Sequence, residues 1–82
     1  MEKNDEFLTT RDVLSIGLFS SSRLYRMLSD GTFPAPIKIG KRSYWHKSDV
    51  ELWKNGVRSR LSADAMRKHV EKIVRGRNLI DL

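Results

Sequence analysis

The segment from Ile16 to Lys41 constrains the fold more than any other part of this 82-residue chain. A turn at Gly17 leads into three consecutive serines and then into a stretch with apolar residues at helical spacing. Gly31 is a helix stop signal, and Pro34 and Pro36 exclude a helix directly afterwards. The order of these features predicts two helices joined by a tight turn, followed by a hairpin with a basic tip.

Both helices of this unit have recognisable starts. Thr9 and Asp12 stand at the spacing of a capping box before the first helix, which Gly17 is expected to end. Ser20 is the expected N-cap of the second helix. The side chains expected to point inward are Val13, Leu14 and Ile16 from the first helix and Leu24, Met27 and Leu28 from the second.

A two-stranded hairpin and two further helices are predicted after the prolines. Alternation on either side of a Gly-Lys-Arg tip indicates the strands, with Trp45 between Tyr44 and His46. Ser48 begins a capping box for a third helix, and Ser62 is the expected cap of a fourth helix over residues 63–75, which Gly76 would end. The side chains expected to be buried in the last two helices are Val50, Trp53, Val57, Met66, Val70, Ile73 and Val74.

These elements predict a mainly α fold with a small β-hairpin, arranged as a winged helix-turn-helix with one added helix at the C-terminal end. The expected parts are a flexible tail over residues 1–6, a DNA-binding domain over 7–58, and a C-terminal helix with an apolar tail over 59–82. A chain of this size forms one domain with a modest core and leaves little room for an enclosed catalytic cavity.

The net charge of +6 and the pI near 10.1 favour a polyanionic partner, most often nucleic acid. The absence of cysteine excludes disulfides and thiolate metal sites and is compatible with the cytoplasm. No apolar run approaches the ~20 residues of a membrane span. The two histidines are far apart in the chain, so neither a metal site nor a catalytic triad is expected, and no cofactor is implied.

The second helix and the hairpin carry the candidate DNA-binding residues. A helix in the major groove places polar and basic side chains against base edges, and arginine distinguishes guanine more sharply than serine does. Arg23 and Arg26 are therefore the expected specificity residues, and Lys41 and Arg42 are expected to supply affinity through phosphates. The complete candidate set is Ser20, Ser21, Ser22, Arg23, Tyr25 and Arg26 in the helix, with Lys38, Lys41, Arg42, Ser43 and Tyr44 in the wing.

The motifs of residues 8–53 resemble those of the AlpA and excisionase-like proteins of prophages and integrative elements. The matching stretches are Leu8-Thr9-Thr10, Ile16-Gly17-Leu18, Ser20, Leu24-Tyr25-Arg26, Gly31-Thr32-Phe33-Pro34-Ala35-Pro36, Gly40-Lys41-Arg42, Ser48-Asp49-Val50 and Trp53. The resemblance implies a MerR-like winged helix-turn-helix without catalytic groups. It also implies an excisionase that bends attachment-site DNA for a separate integrase, or a regulator of an integrase promoter, located in the cytoplasm at the nucleoid.

The residues after position 58 lie outside this resemblance and leave two roles open. Their apolar stripe either packs back onto the domain or contacts a neighbouring protomer or integrase during cooperative assembly on DNA. The residues concerned are Met66, Val70, Ile73, Val74, Leu79, Ile80 and Leu82. A different class of protein, an adaptor whose basic face binds an acidic protein partner, is also consistent with the charge.

Overall fold

The structure, a computed structural model, describes residues 6–17 and 19–80, with the backbone alone for 77–80. It confirms a mainly helical fold with a small antiparallel sheet, compatible with a winged helix-turn-helix. No helix among these residues has both the length and the apolar character needed to cross a membrane. The elements in chain order are β1 (Phe7–Thr9), α1 (Thr10–Gly17), α2 (Ser21–Asp30), β2 (Ile37–Ile39), β3 (Arg42–His46), α3 (Lys47–Arg58) and α4 (Ala63–Ile80).

The predicted caps of the helix-turn-helix are present. The Thr9 amide donates to the Asp12 carboxylate at 3.0 Å, and the Asp12 amide donates to the Thr9 hydroxyl at 3.2 Å. The Arg23 amide donates to the Ser20 hydroxyl at 3.2 Å and caps α2. Gly31 closes α2 with a φ of 80°, a left-handed conformation that glycine adopts without a steric penalty. Local hydrogen bonds therefore define both helices.

The sheet contains three strands rather than the two predicted. β1 pairs antiparallel with β3, opposite β2, so the strand order is β1-β3-β2. Leu8 lies opposite Trp45 in this register, and both side chains are buried. The Lys47 amide extends the pairing by donating to the Glu6 carbonyl at 2.9 Å. Three residues are too few for the alternation that identifies a strand in sequence, so β1 is recognisable only through its partner.

Phe33 stands at the centre of an aromatic core that joins α2 to the hairpin. Its ring centroid lies 4.8 Å from that of Trp53, 6.1 Å from that of Trp45 and 6.2 Å from that of Phe19. Both tryptophans also donate hydrogen bonds to the backbone beside Phe33. Trp45 donates to the Pro34 carbonyl at 2.8 Å, and Trp53 donates to the Thr32 carbonyl at 2.9 Å. These contacts hold the link between α2 and β2 against the core.

The predictions for α3 and for Ile16 need three corrections. The helix begins at Lys47, with His46 as its N-cap, because the chain passes from β3 into α3 without a loop, and Ser48 therefore lies inside the first turn. Val57, expected to be buried, is 48 % exposed, because α4 crosses α3 at Gly56, about 100° around the helix from Val57. Ile16, in the last turn of α1, is also at the surface, with 37 % of its area exposed.

α4 completes the core. Its predicted cap is present, since the Ala65 amide donates to the Ser62 hydroxyl at 3.1 Å. Gly76 does not end the helix, because an isolated glycine inside a helix costs only about 1 kcal/mol, and α4 continues to Ile80. The described part of its apolar stripe packs onto the domain. Met66, Val70 and Ile73 are buried, and Val74 packs against them half-buried.

The remaining candidates for a protein contact, the side chains of Leu79 and Ile80 and the whole of Leu82, lie outside the described part of the chain. The predicted tail over residues 1–6 also lies outside it, except for Glu6.

Replacing Gly56 with valine is expected to destabilise the domain by about 1–3 kcal/mol, since overpacking a close helix contact forces the helices apart. A Cβ atom at Gly56 would lie 2.8 Å from His69 Cδ2 and 3.0 Å from Met66 Cε. Thermal unfolding followed by circular dichroism measures the effect. Gly76→Val is the matched control, because a Cβ there meets nothing within 4 Å. Equal melting temperatures for the two variants would contradict the close packing of α3 on α4.

Candidate nucleic-acid interface

The outward face of α2 is polar and carries one central arginine. Leu24 is 0 % exposed and marks the inward side of the helix. Ser22, Arg26 and Ser29 follow one another at intervals of four and three residues on the opposite side, and all three are exposed. Ser29 was missed by the sequence analysis because it stands beside the helix stop. This row presents a narrow polar ridge with the Arg26 side chain in its middle.

The two arginines of α2 lie on different parts of its surface. Tyr25 is 62 % exposed and faces the hairpin, with which it lines a groove. Arg23 precedes Tyr25 by two residues and therefore lies about 160° away around the helix, on the flank opposite to the hairpin. Arg26 lies between the two flanks. Arg23 and Arg26 are three residues apart and therefore about 60° apart around α2, so Arg26 lies on the outward ridge and Arg23 lies beside it on the flank.

An open groove of about 600 Å³ runs between the hairpin, Tyr25 and the start of α1. Lys38 projects into it and donates from Nζ to the Ser43 hydroxyl at 2.9 Å, which braces the two strands of the wing. Among the described residues, those that line the groove include four cationic side chains and no carboxylate. The lining residues are Thr9, Thr10, Arg11, Tyr25, Lys38, Lys41, Arg42, Ser43 and Tyr44.

Most of the predicted site residues are accessible. Ser20, Ser21, Ser22, Arg23, Tyr25 and Arg26 are exposed, as are Lys38, Lys41 and Arg42, whereas Ser43 and Tyr44 are half-buried. All five predicted wing residues line the groove together with Tyr25. Ser20 is different, because its hydroxyl accepts the hydrogen bond that caps α2 and is already engaged there.

Arg11 and the two threonines before it were not among the residues predicted from the sequence. These residues enter the groove because β1 pairs with β3 and brings the start of α1 beside the wing. The available signal was Arg11 itself, a cation two residues after the capping Thr9, in the first turn of the first helix. Its proximity to Lys41 and Arg42 depends on a strand that the sequence did not reveal.

The core holds α2 and the wing in a defined relative position. The Thr32 amide donates to the Met27 carbonyl at 2.9 Å at the end of α2. The carbonyls of Thr32 and Pro34 then accept the two tryptophan hydrogen bonds, and β2 begins three residues after Pro34. The groove and the outward face of α2 are therefore parts of one rigid surface. No group of three histidine or carboxylate side chains among the described residues is arranged to hold a metal ion.

A comparison with protein families matches residues 6–60 to a family model described as the prophage CP4-57 regulatory protein (AlpA). The match covers more than half of the sequence and runs from β1 to the end of α3. The chain belongs to the AlpA family. AlpA proteins are DNA-binding prophage regulators rather than enzymes, and the AlpA match contains every residue of the groove and of α2. None of the curated proteins and none of the solved structures matches the chain.

Proposed function

We propose that this protein binds duplex DNA sequence-specifically, with α2 in the major groove and the wing on the adjacent backbone. One observation carries the proposal: the cationic groove of the wing adjoins the polar outward face of α2 on one rigid surface. A major groove admits one helix, and cations beside that helix neutralise the phosphates at its edge. Membership of the AlpA family supports the same kind of partner.

In this proposal the cations have different roles, and their positions on α2 and the wing support the division. Arg26, in the middle of the exposed ridge of α2, faces the base edges, where an arginine makes two hydrogen bonds to guanine. Arg23 meets the groove edge on the side away from the wing. Lys38, Lys41, Arg42 and Arg11 contact phosphates, which position the protein without reading sequence. Tyr25, Ser43 and Tyr44 provide hydroxyl groups on the same wall, and Ser21 and Ser22 do so on α2.

In this proposal the protein acts as an excisionase. It organises or bends attachment-site DNA, with cooperative contacts between copies, so that a separate integrase assembles the excisive complex. A small domain with a DNA-reading surface is sufficient for such an architectural role. Band shifts on attachment-site DNA test the binding step, and an in vitro excision assay with the element's integrase tests the outcome. Binding no tighter than to random duplex would rule out sequence-specific recognition.

A second candidate, control of an integrase promoter, is favoured by the description of the matching family as a regulatory protein. The same surface would bind promoter DNA, and the cell location in both cases would be the nucleoid. A reporter fused to the integrase promoter separates the two candidates. Promoter response without stimulation of excision favours the regulator, and stimulation of purified integrase favours the excisionase.

An adaptor that binds an acidic protein is the remaining alternative, and salt dependence distinguishes it. A protein that neutralises several phosphates loses duplex affinity linearly in the logarithm of salt concentration, with a slope close to the number of contacts. A slope reflecting several contacts supports the DNA-binding proposal. A slope near zero on all duplexes would favour the adaptor.

A further inference from the structure

The three-stranded sheet has an outer face that only partly borders the cationic groove. Leu8 and Trp45 are buried on the inner face, so the residues alternating with them point the other way. Between β1 and β3, Phe7 lies opposite His46 and Thr9 lies opposite Tyr44. Between β2 and β3, Ile37 lies opposite Tyr44 and Ile39 lies opposite Arg42. We call this surface the outer sheet face, and its residues are Phe7, Thr9, Ile37, Ile39, Arg42, Tyr44 and His46.

The composition of this face is unusual for a sheet surface in contact with solvent. An antiparallel sheet with one face on the core normally carries polar residues on the other face. Here Phe7 and Ile39 are each 51 % exposed, and Ile37, Tyr44 and His46 are half-buried. Contiguous apolar side chains at the surface commonly mark a binding site. The pattern therefore supports a binding role for this face.

Three aromatic rings form the middle of the face. The Phe7 ring centroid lies 5.1 Å from that of His46 at a tilt of 32°, and 6.2 Å from that of Tyr44 in an edge contact. A sheet that displays aromatic side chains beside cations binds single-stranded nucleic acid in several folds, because each unpaired base has a π-face that stacks on a ring. Paired bases in a duplex do not offer these faces.

The charges around the face favour a polyanion over an apolar protein segment. Arg42 belongs to the face, Lys41 is at the tip of the hairpin, and Lys47 follows His46. Two carboxylates lie on the Phe7 side, Glu6 and Asp12, and that of Asp12 accepts the Thr9 amide. Thr9, Arg42 and Tyr44 also line the cationic groove, so the outer sheet face is continuous with that groove. A strand leaving the groove would pass from cations onto aromatic rings.

We propose that the outer sheet face binds unpaired bases of single-stranded DNA, with Phe7 as the principal stacking residue and Arg42 as a phosphate contact. This activity goes beyond the duplex recognition assigned to α2, and its principal residue, Phe7, does not line the cationic groove, whereas Arg42 is shared by both surfaces. During site-specific recombination, or when a promoter opens, unpaired strands arise next to the duplex that such a protein occupies.

The test compares Phe7→Leu and Phe7→Trp in the full chain. Leucine keeps the apolar bulk on β1 but lacks a π-face, whereas tryptophan retains one. Fluorescence anisotropy measures affinity for labelled oligo(dT) of about twelve nucleotides, a length within the usual site size of such surfaces. Phe7→Leu is expected to weaken oligo(dT) binding about tenfold, and Phe7→Trp is expected to keep it and to show quenched indole fluorescence on binding. Duplex affinity is expected to stay unchanged in both variants.

The matched control is Val57→Ala, because Val57 is 48 % exposed on α3 and belongs to neither surface. It is expected to change neither affinity. Equal oligo(dT) binding by the wild type and Phe7→Leu would overturn the proposal. Loss of duplex and oligo(dT) affinity in the same proportion would also overturn it, as would sedimentation showing that Phe7→Leu dissociates a wild-type dimer. The oligo(dT) assay needs no specific duplex site. A failure of the single-strand proposal can therefore be distinguished from a failure of the proposed duplex-binding function.

Discussion

A chain ended at Arg60 is expected to be unfolded, although the AlpA match also ends at that residue. The shortened chain lacks Met66, Val70 and Ile73, which are buried in the same core as the helix-turn-helix. Each buried side chain of this size contributes about 1.5–3 kcal/mol, so the loss is about 5–9 kcal/mol. A domain of this length has a total stability of roughly 4–12 kcal/mol at 0.05–0.15 kcal/mol per residue. The free energy lost with α4 is therefore comparable to the total free energy of unfolding of the domain.

The contacts of α4 explain why its removal would also destabilise the rest of the domain. α4 packs on Gly56, and His69 Nε2 lies 2.7 Å from the Leu52 carbonyl oxygen. The buried residues of α4 belong to the same core cluster as Trp53 of α3, whose indole donates to the Thr32 carbonyl two residues after the end of α2. The position of α2 relative to the wing thus depends on a helix beyond the family match.

Circular dichroism melts and amide spectra of residues 1–60 and 1–76 measure this effect. The longer chain keeps the three buried side chains and Val74, so it is expected to melt cooperatively. A cooperative transition and dispersed amide signals in residues 1–60 would show that the first three helices and the sheet fold without α4.

Arg26→Ala is expected to lower the preference for specific over random duplex. A well-placed arginine distinguishes its base pair by about 1–3 kcal/mol, equivalent to roughly 5–150-fold in relative affinity. Its position opposite the buried Leu24 makes Arg26 the cation of α2 that points most directly away from the core. Arg23→Ala should have a smaller effect on preference, because Arg23 lies on the flank of α2 opposite to the wing.

Lys41→Ala is the charge-matched control for this experiment. Lys41 lies at the wing tip and lines the cationic groove, so its loss should weaken specific and random duplexes similarly and reduce the salt slope by about one. Competition band shifts at several salt concentrations measure both quantities. Equal losses on both duplexes for Arg26→Ala would contradict its assignment to base edges and place it among the phosphate contacts.

Short-range signals in the sequence were sufficient for the helix-turn-helix. The Thr9–Asp12 capping box, the Ser20 cap and the left-handed Gly31 each act over five residues or fewer, so the segment itself specifies them. The same holds for the turn between β2 and β3 at Gly40 and Lys41. The order of elements and the candidate residues on α2 and the wing followed from these local interactions.

Contacts between distant segments escaped the sequence analysis. β1 exists because Leu8 pairs with Trp45, a residue far along the chain, and this pairing brings Arg11 to the wing. The exposure of Val57 depends on where α4 crosses α3. Neither follows from the spacing of residues in one segment.

The sequence by itself determined which residues share a side of each helix or strand, because backbone periodicity sets their relative directions. It determined that Arg26 and Leu24 lie on opposite sides of α2 and that Ile37 and Ile39 lie on the same face of β2. In the sheet, only the tertiary structure decided which side faces solvent. Burial of Leu8 and Trp45 turned Ile37 and Ile39 outward with Phe7, since the orientation of a strand is set by its partners in the core.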